Sequence, residues 1–224
     1  MSVTLIDSMG SDVSVVNAAR VSFNKESDWE YETEGYKAMQ YNGKLSAKDA
    51  KLIAYLAKHN HFTPFCHAFL SFRIKAPIFV ARQLVKHQVG LSWNEVSRRY
   101  VDDEPEYFKL KWRWAADNVK QGSGENVPDS VQEAADQVFW NAVDTCLEAY
   151  NSLLDLGIAP EQARSVLNLN HQTEWIWSGS LMAFARVCKL RLDPHAQKET
   201  QEIAQLINVQ VPTEFNHSWQ ALVA

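Results

Sequence analysis

From His67 to Ala76 the chain alternates. Leu70, Phe72, Ile74 and Ala76 fall on one side, and Ser71, Arg73 and Lys75, with Phe69 among them, on the other. Successive side chains of an extended strand point to opposite faces, so this segment is a half-buried strand of the kind found in antiparallel sheets. Pro77 suits the first turn of a helix, which the pattern carries from Ile78 to about Val89, with Gly90 as its stop. A strand running directly into a helix is the start of a mixed fold.

The rest of the chain is mostly helix, with a few strands that do not alternate as βαβ units. A short strand is expected at Val3 to Ile6. Ser11 or Asp12 caps a helix reaching Arg20, and Ser46 with Asp49 opens another that runs to about Lys58. Residues 25–43 are polar, aromatic and aperiodic, and read as a loop or insertion. Further helices are expected from Ser130 to Leu156, from Pro160, from Ser180 to Leu190, and from Asp193 as cap to about Val211. Ser97 to Val101 is expected as a second strand, while Trp112, Trp114 and the segment Asn168 to Trp177 give no clear pattern. The fold class is α+β, an antiparallel sheet packed with helices, in a single domain over residues 1–224.

The polar chemistry concentrates in one place. Ala81 to Tyr100 carries Arg82, Lys86, Arg98 and Arg99 against one acid, Glu95, in a protein whose formal charge is -5. Gln83, His87, Gln88, Ser92, Asn94 and Ser97 add amides, hydroxyls and an imidazole around Gly90. A solubilising helix face has no need of such variety. Arginine forms planar, two-pronged bonds to phosphate or carbonyl groups, so the mixture suits a site for an anion and a polar heterocycle. Arg164 and Arg191 are further candidates, the second at a junction between two helices.

Composition narrows the class. The mild acidity argues against broad nucleic-acid binding, which rests on many cation–phosphate contacts. No apolar run is long enough to span a membrane, and the N-terminus lacks a secretion signal, so a cytoplasmic location is expected. Three cysteines, Cys66, Cys146 and Cys188, without a CxxC spacing, read as free thiols of a reducing compartment. His59, His61 and His67 do not complete a familiar zinc set, so no metal is expected, and a metal-dependent hydrolase is the weaker reading.

Lys86-His87-Gln88, eight residues, then Ser97, with Asn94-Glu95 inside and Arg99-Tyr100 after it, resembles the RHR-x-Ser motif of the flavin-dependent thymidylate synthases. So do Ala19 to Phe23, His61 with Thr63-Pro64-Phe65, Lys75 to Gln83, and Leu190 to Gln197. The resemblance implies conversion of dUMP to dTMP, with 5,10-methylenetetrahydrofolate as carbon donor and NADPH reducing a bound FAD. It also implies a homotetramer with shared active sites.

Carried over residue by residue, the resemblance assigns Thr63, Lys86, His87, Gln88, Glu95, Ser180 and Arg186 to the flavin. It assigns Gln83, Lys86, Glu95, Ser97, Arg98, Arg99, Arg164 and Arg191 to dUMP. Arg191 is the catalytic candidate, matching a residue that favours ionisation at uracil N3: a guanidinium beside an imide stabilises the anion left when its proton departs. Ser97 has no His–acid pair nearby in sequence to activate it, so it is read as a dUMP contact rather than a nucleophile. Lys86 and Gln88 depart from the motif's two arginines. Lysine keeps the charge without the fork, and glutamine keeps hydrogen bonding without the charge. The alternative is therefore a catalytically impaired homologue that still binds nucleotide or flavin.

Overall fold

A computed structural model describes residues 1–31, 43–100, 103–117 and 122–224. Most of the expected insertion at 25–43, and Val101 at the end of the expected second strand, lie outside the described residues. Strand β1 (Ser2–Met9) leads to α1 (Asp12–Arg20), and α2 (Ala47–Lys58) precedes β2 (Phe69–Pro77) and α3 (Ile78–Leu84). Then come β3 (Leu91–Glu95), α4 (Asp129–Asp155), α5 (Pro160–Ala163), β4 (Gln172–Ser180), α6 (Leu181–Arg191), α7 (Lys198–Gln210) and α8 (Asn216–Val223). This is the α+β class.

Among the described residues four strands form one antiparallel sheet in the order β1-β2-β4-β3. The alternation in β2 sets its register. Leu5, Phe72, Trp177 and Trp93 form one cross-sheet row, and Val3, Ile74, Trp175 and Glu95 the next. Leu70, Phe72, Ile74, Ala76, Trp175 and Trp177 are buried, covered by α3, α6 and α7, with α1, α2 and α8 completing the core. On the opposite face Ser71 and Ser178 share a hydroxyl hydrogen bond of 2.7 Å, and Arg73 pairs with Glu174. A second, small cluster of Tyr150, Ala163 and Leu167 ties α4 to α5 and to the 3-10 turn Arg164–Val166.

The ambiguous Asn168–Trp177 segment divides into a turn at Asn168 to His171 and the start of β4 at Gln172. Three expectations are corrected. The strand beside it is Leu91–Glu95, not Ser97 to Val101; Ser97 to Tyr100 is a turn closed by Tyr100 N–H on the Ser97 carbonyl at 3.0 Å. Two adjacent arginines are poor strand material, whereas Leu91 and Trp93 can join the buried face. Helix α3 stops at Leu84, five residues short of Val89, because the backbone closes a turn from His87 N–H to the Leu84 carbonyl and reverses at Gly90, where φ is +76°. Lys86 and His87 therefore leave the helix. Finally, Asp193 does not cap α7. Its carboxylate accepts the His195 N–H at 2.8 Å in a local turn, and α7 begins at Lys198 after Gln197.

Candidate active site

The turn after α3 and the last residue of α6 meet. Arg191 Nε donates to His87 Nε2 at 3.0 Å, which leaves His87 neutral with its proton on Nδ1. Burial, and then the Arg191 charge, hold the His87 pKa below its ordinary value. Burial also lowers that of Arg191, without threatening its charge at neutral pH. One turn back on α3, the Gln83 side-chain carbonyl accepts the hydroxyl of Thr200 on α7. Two contacts thus tie this region together, His87 to Arg191 at the end of α6 and Gln83 of α3 to Thr200 of α7. Lys86 and Gln88 flank His87 and are not buried.

A cavity of about 610 Å³ opens beside α3, lined by Arg82, Glu95, Arg98 and Arg164 together with Lys75, His171, Thr173 and Glu174. These come from β2, α3, β3, β4 and the turn behind α5, so the fold collects residues that are far apart in sequence. Arg98 donates to the Asp103 carbonyl and Arg164 to the Glu161 carbonyl at 3.3 Å. Among the described residues neither arginine, nor Arg82, has a carboxylate within ion-pair distance. Acids outnumber cations on the walls, but Glu106 is paired to Lys75 at 2.6 Å and Glu174 to Arg73. Three guanidiniums, Arg82, Arg98 and Arg164, therefore share the walls with Glu95, Asp103, Glu104 and Glu161, and none of the three is ion-paired among the described residues. Glu95 is held at both oxygens, by Thr173 Oγ1 at 2.7 Å and by Trp93 Nε1 at 3.0 Å. His171 bonds the Asn168 carbonyl through Nδ1 at 2.6 Å. Burial first, and the Arg98 charge, lower its pKa against the opposing pull of that bond and of Glu95.

A pocket that joins guanidiniums to a fixed carboxylate has groups for both a phosphate and the polar edge of a base. The family model for thymidylate synthase complementing protein matches residues 4–215. The flavin-dependent thymidylate synthase of Thermosipho melanesiensis is 35% identical over 207 residues, covering 89% of this chain and 80% of that one. That of Thermus thermophilus is 37% identical over 220 residues, covering 98% and 74%. The chain belongs to the flavin-dependent thymidylate synthase family. Members of that family are methyltransferase enzymes, and so is this chain. Among solved structures, the UMP/dUMP methylase PolB of Streptomyces cacaoi bound to 5-Br UMP superposes with a TM-score of 0.81 at 26% identity, over 98% of this chain and 92% of that one.

Within this flavin-dependent thymidylate synthase fold the expected residues fall into distinct groups. Glu95, Arg98 and Arg164 share the cavity with Arg82. Ser97 and Arg99 bond each other at 3.0 Å on the adjoining turn, where Arg99 also lies over the Tyr100 ring. Thr63 and Arg186 are elsewhere, Thr63 beginning a 3-10 turn next to Phe62, and Arg186 stacked on the Phe62 ring at 5.3 Å. Ser180, expected at the flavin, is 5% exposed and its hydroxyl accepts the Ala183 N–H at the start of α6. A serine at that position satisfies an orphan helix donor, so its visible task is a cap. His171, Thr173, Trp93 and Thr200 were not read from the sequence. The alternation Thr173, Trp175, Trp177 was a usable signal for the second of these.

Proposed function

We propose that this chain is a flavin-dependent thymidylate synthase converting dUMP to dTMP, with 5,10-methylenetetrahydrofolate as the carbon donor and NADPH as the reductant of bound FAD. The observation that supports it best is the gathering of Arg82, Glu95, Arg98 and Arg164 in one cavity, beside helix α3, whose following turn brings His87 to Arg191. On this reading the cavity arginines take the nucleotide phosphate and Glu95 fixes the polar edge of the nucleotide. Ser97, Arg99 and Gln83 complete the substrate contacts. Arg191 stabilises the uracil anion formed on loss of the N3 proton, which raises electron density at C5 where the new carbon bonds.

The donor set fits a flavin at the turn after α3. With Nε2 occupied by Arg191, His87 offers its Nδ1 proton, and Lys86 and Gln88 beside it add a cation and an amide. These three residues, with Thr63 and Arg186, would hold the flavin. The reduced flavin supplies the hydride. We further read residues 1–224 as one domain, the assembly as a homotetramer with shared sites, and the location as cytoplasmic. Among the described residues no helix is long and apolar enough to cross a membrane.

The replacement of two motif arginines by Lys86 and Gln88 favours a second reading, a homologue that binds nucleotide and flavin without turnover. Purified protein that is yellow and bleaches with NADPH, and that releases tritium from C5-labelled dUMP when 5,10-methylenetetrahydrofolate is added, supports the enzyme. Flavin and dUMP binding without release under any condition supports the second reading. Since the structural neighbour is named for both UMP and dUMP, release from labelled UMP alone would reassign the substrate.

A further inference from the structure

Glu95 breaks the pattern of its sheet. It ends the row Val3, Ile74, Trp175 on the core face, a position where alternation calls for an apolar side chain. It is nevertheless exposed, toward the cavity, and an exposed carboxylate needs no protein partner for its solvation. It has two, one on each oxygen, and both donors are rigid. Thr173 is 8% exposed and β-branched, which restricts its χ1 angle. Trp93 is stacked on Trp175, with centroids 4.2 Å apart and planes at 17°, and meets the edge of Trp177 at 5.5 Å. Fixing a glutamate in this way costs rotamer freedom and gains chiefly position.

We infer that Thr173 and Trp93 are positioning residues for substrate recognition: they clamp the Glu95 carboxylate so that its remaining lone pairs face a nucleotide in the cavity. A carboxylate can accept about four hydrogen bonds, and two neutral donors leave the other acceptor sites and the full charge for the ligand. Thr173 and Trp93 act through Glu95. The inference rests on the reading of the cavity as a dUMP site.

The test uses flavin-loaded protein, with dUMP affinity measured by calorimetry and KM and kcat measured separately. Thr173→Val keeps the shape and removes the hydroxyl. It is expected to weaken dUMP binding and raise KM about tenfold, the scale of one hydrogen bond to a charged group, with kcat changed far less. Thr173→Ser restores the hydroxyl and should stay within about twofold of the parent. Trp93→Phe keeps a stacked ring without the N–H and should fall between them. In Glu95→Gln protein, Thr173→Val should add little further loss, since the two act as one unit. Full additivity of the two losses, or unchanged dUMP affinity in Thr173→Val, would overturn the clamp. Should the parent protein bind neither dUMP nor UMP, the functional reading fails. A crystal structure of Thr173→Val then decides the clamp by itself: a displaced Glu95 carboxylate supports it and an unmoved one overturns it.

Discussion

Arg191 and His87 are the pair on which the proposed chemistry turns. The arginine donates to the imidazole, and each is half-buried. Arg191→Ala is expected to abolish turnover, by about a hundredfold or more on the scale of a lost transition-state donor, while flavin stays bound. Flavin absorbance with tritium release measures both; undiminished release would mean that the catalytic arginine is another. A pH effect belongs to the same scale. His87 and His171 both have folded pKa values below the ordinary imidazole value of 6.5. The unfolded chain therefore binds more protons than the folded one in the window below 6.5. The stability these groups contribute is full above that pH and is lost as pH falls toward the folded values. Thermal melts from about pH 7.5 down to about 5 should show a falling midpoint, and His171→Asn should flatten part of the slope. A slope unchanged in that variant would remove His171 from the account. Lys86 and Gln88 supply a third residue-level prediction. Lys86→Arg with Gln88→Arg restores two planar cations and should bind FAD several-fold more tightly, read by fluorescence titration.

Elements were legible where the sequence carries a strict period or a capping residue. The β2 alternation, the Ser46 and Ser180 caps and the long α4 pattern all appear close to where the sequence put them. Errors arose where a local signal competed with a tertiary one. Val85 and Val89 continue a helical apolar pattern, yet the chain leaves the helix because β3 must reach β4. Asp193-Pro194 is a good helix opening in isolation, but the aspartate closes its own turn with His195. The cavity was only half legible, since its arginines carry a visible charge signal whereas Thr173 and His171 gain meaning only from the pairing of β4. Gly179 is the element-scale test. A Cβ there would run into the Gly90 carbonyl, on which Ser180 N–H closes at 3.1 Å, and into the Leu91 side chain. Gly179→Ala should cost about 2 kcal/mol or more, as overpacking does, and should loosen the turn that carries Lys86 to Gln88. Urea melts and FAD affinity report the two effects, and a variant as stable as the parent would show that the two strands can part there without penalty.

At the scale of the whole molecule the candidate site is divided. Glu95, Arg98 and Arg164 line one cavity, His87 meets Arg191 after α3 while Gln83 bonds Thr200 of α7, and Thr63 and Arg186 lie by Phe62. Helix α4 is 27 residues long with only Val143 and Tyr150 buried, more surface than one chain needs, and its far end anchors the turn carrying Arg164. Both facts fit a proposed homotetramer in which one chain's cavity is completed by another chain's junction. Complementation tests that arrangement. Arg164→Ala and Arg191→Ala subunits, each inactive alone, are mixed by co-expression. If the two arginines of one site come from different chains, random assembly leaves about a quarter of the sites with both intact, and activity returns in that proportion. If they come from the same chain, every site lacks one of them and the mixture stays inactive. Tritium release from the co-expressed protein, with its mass measured by light scattering, separates the two. Recovery would make the helix junction of one subunit the catalytic edge of its neighbour's nucleotide cavity; a silent mixture of full tetramers would require both arginines to close on the same dUMP within one chain.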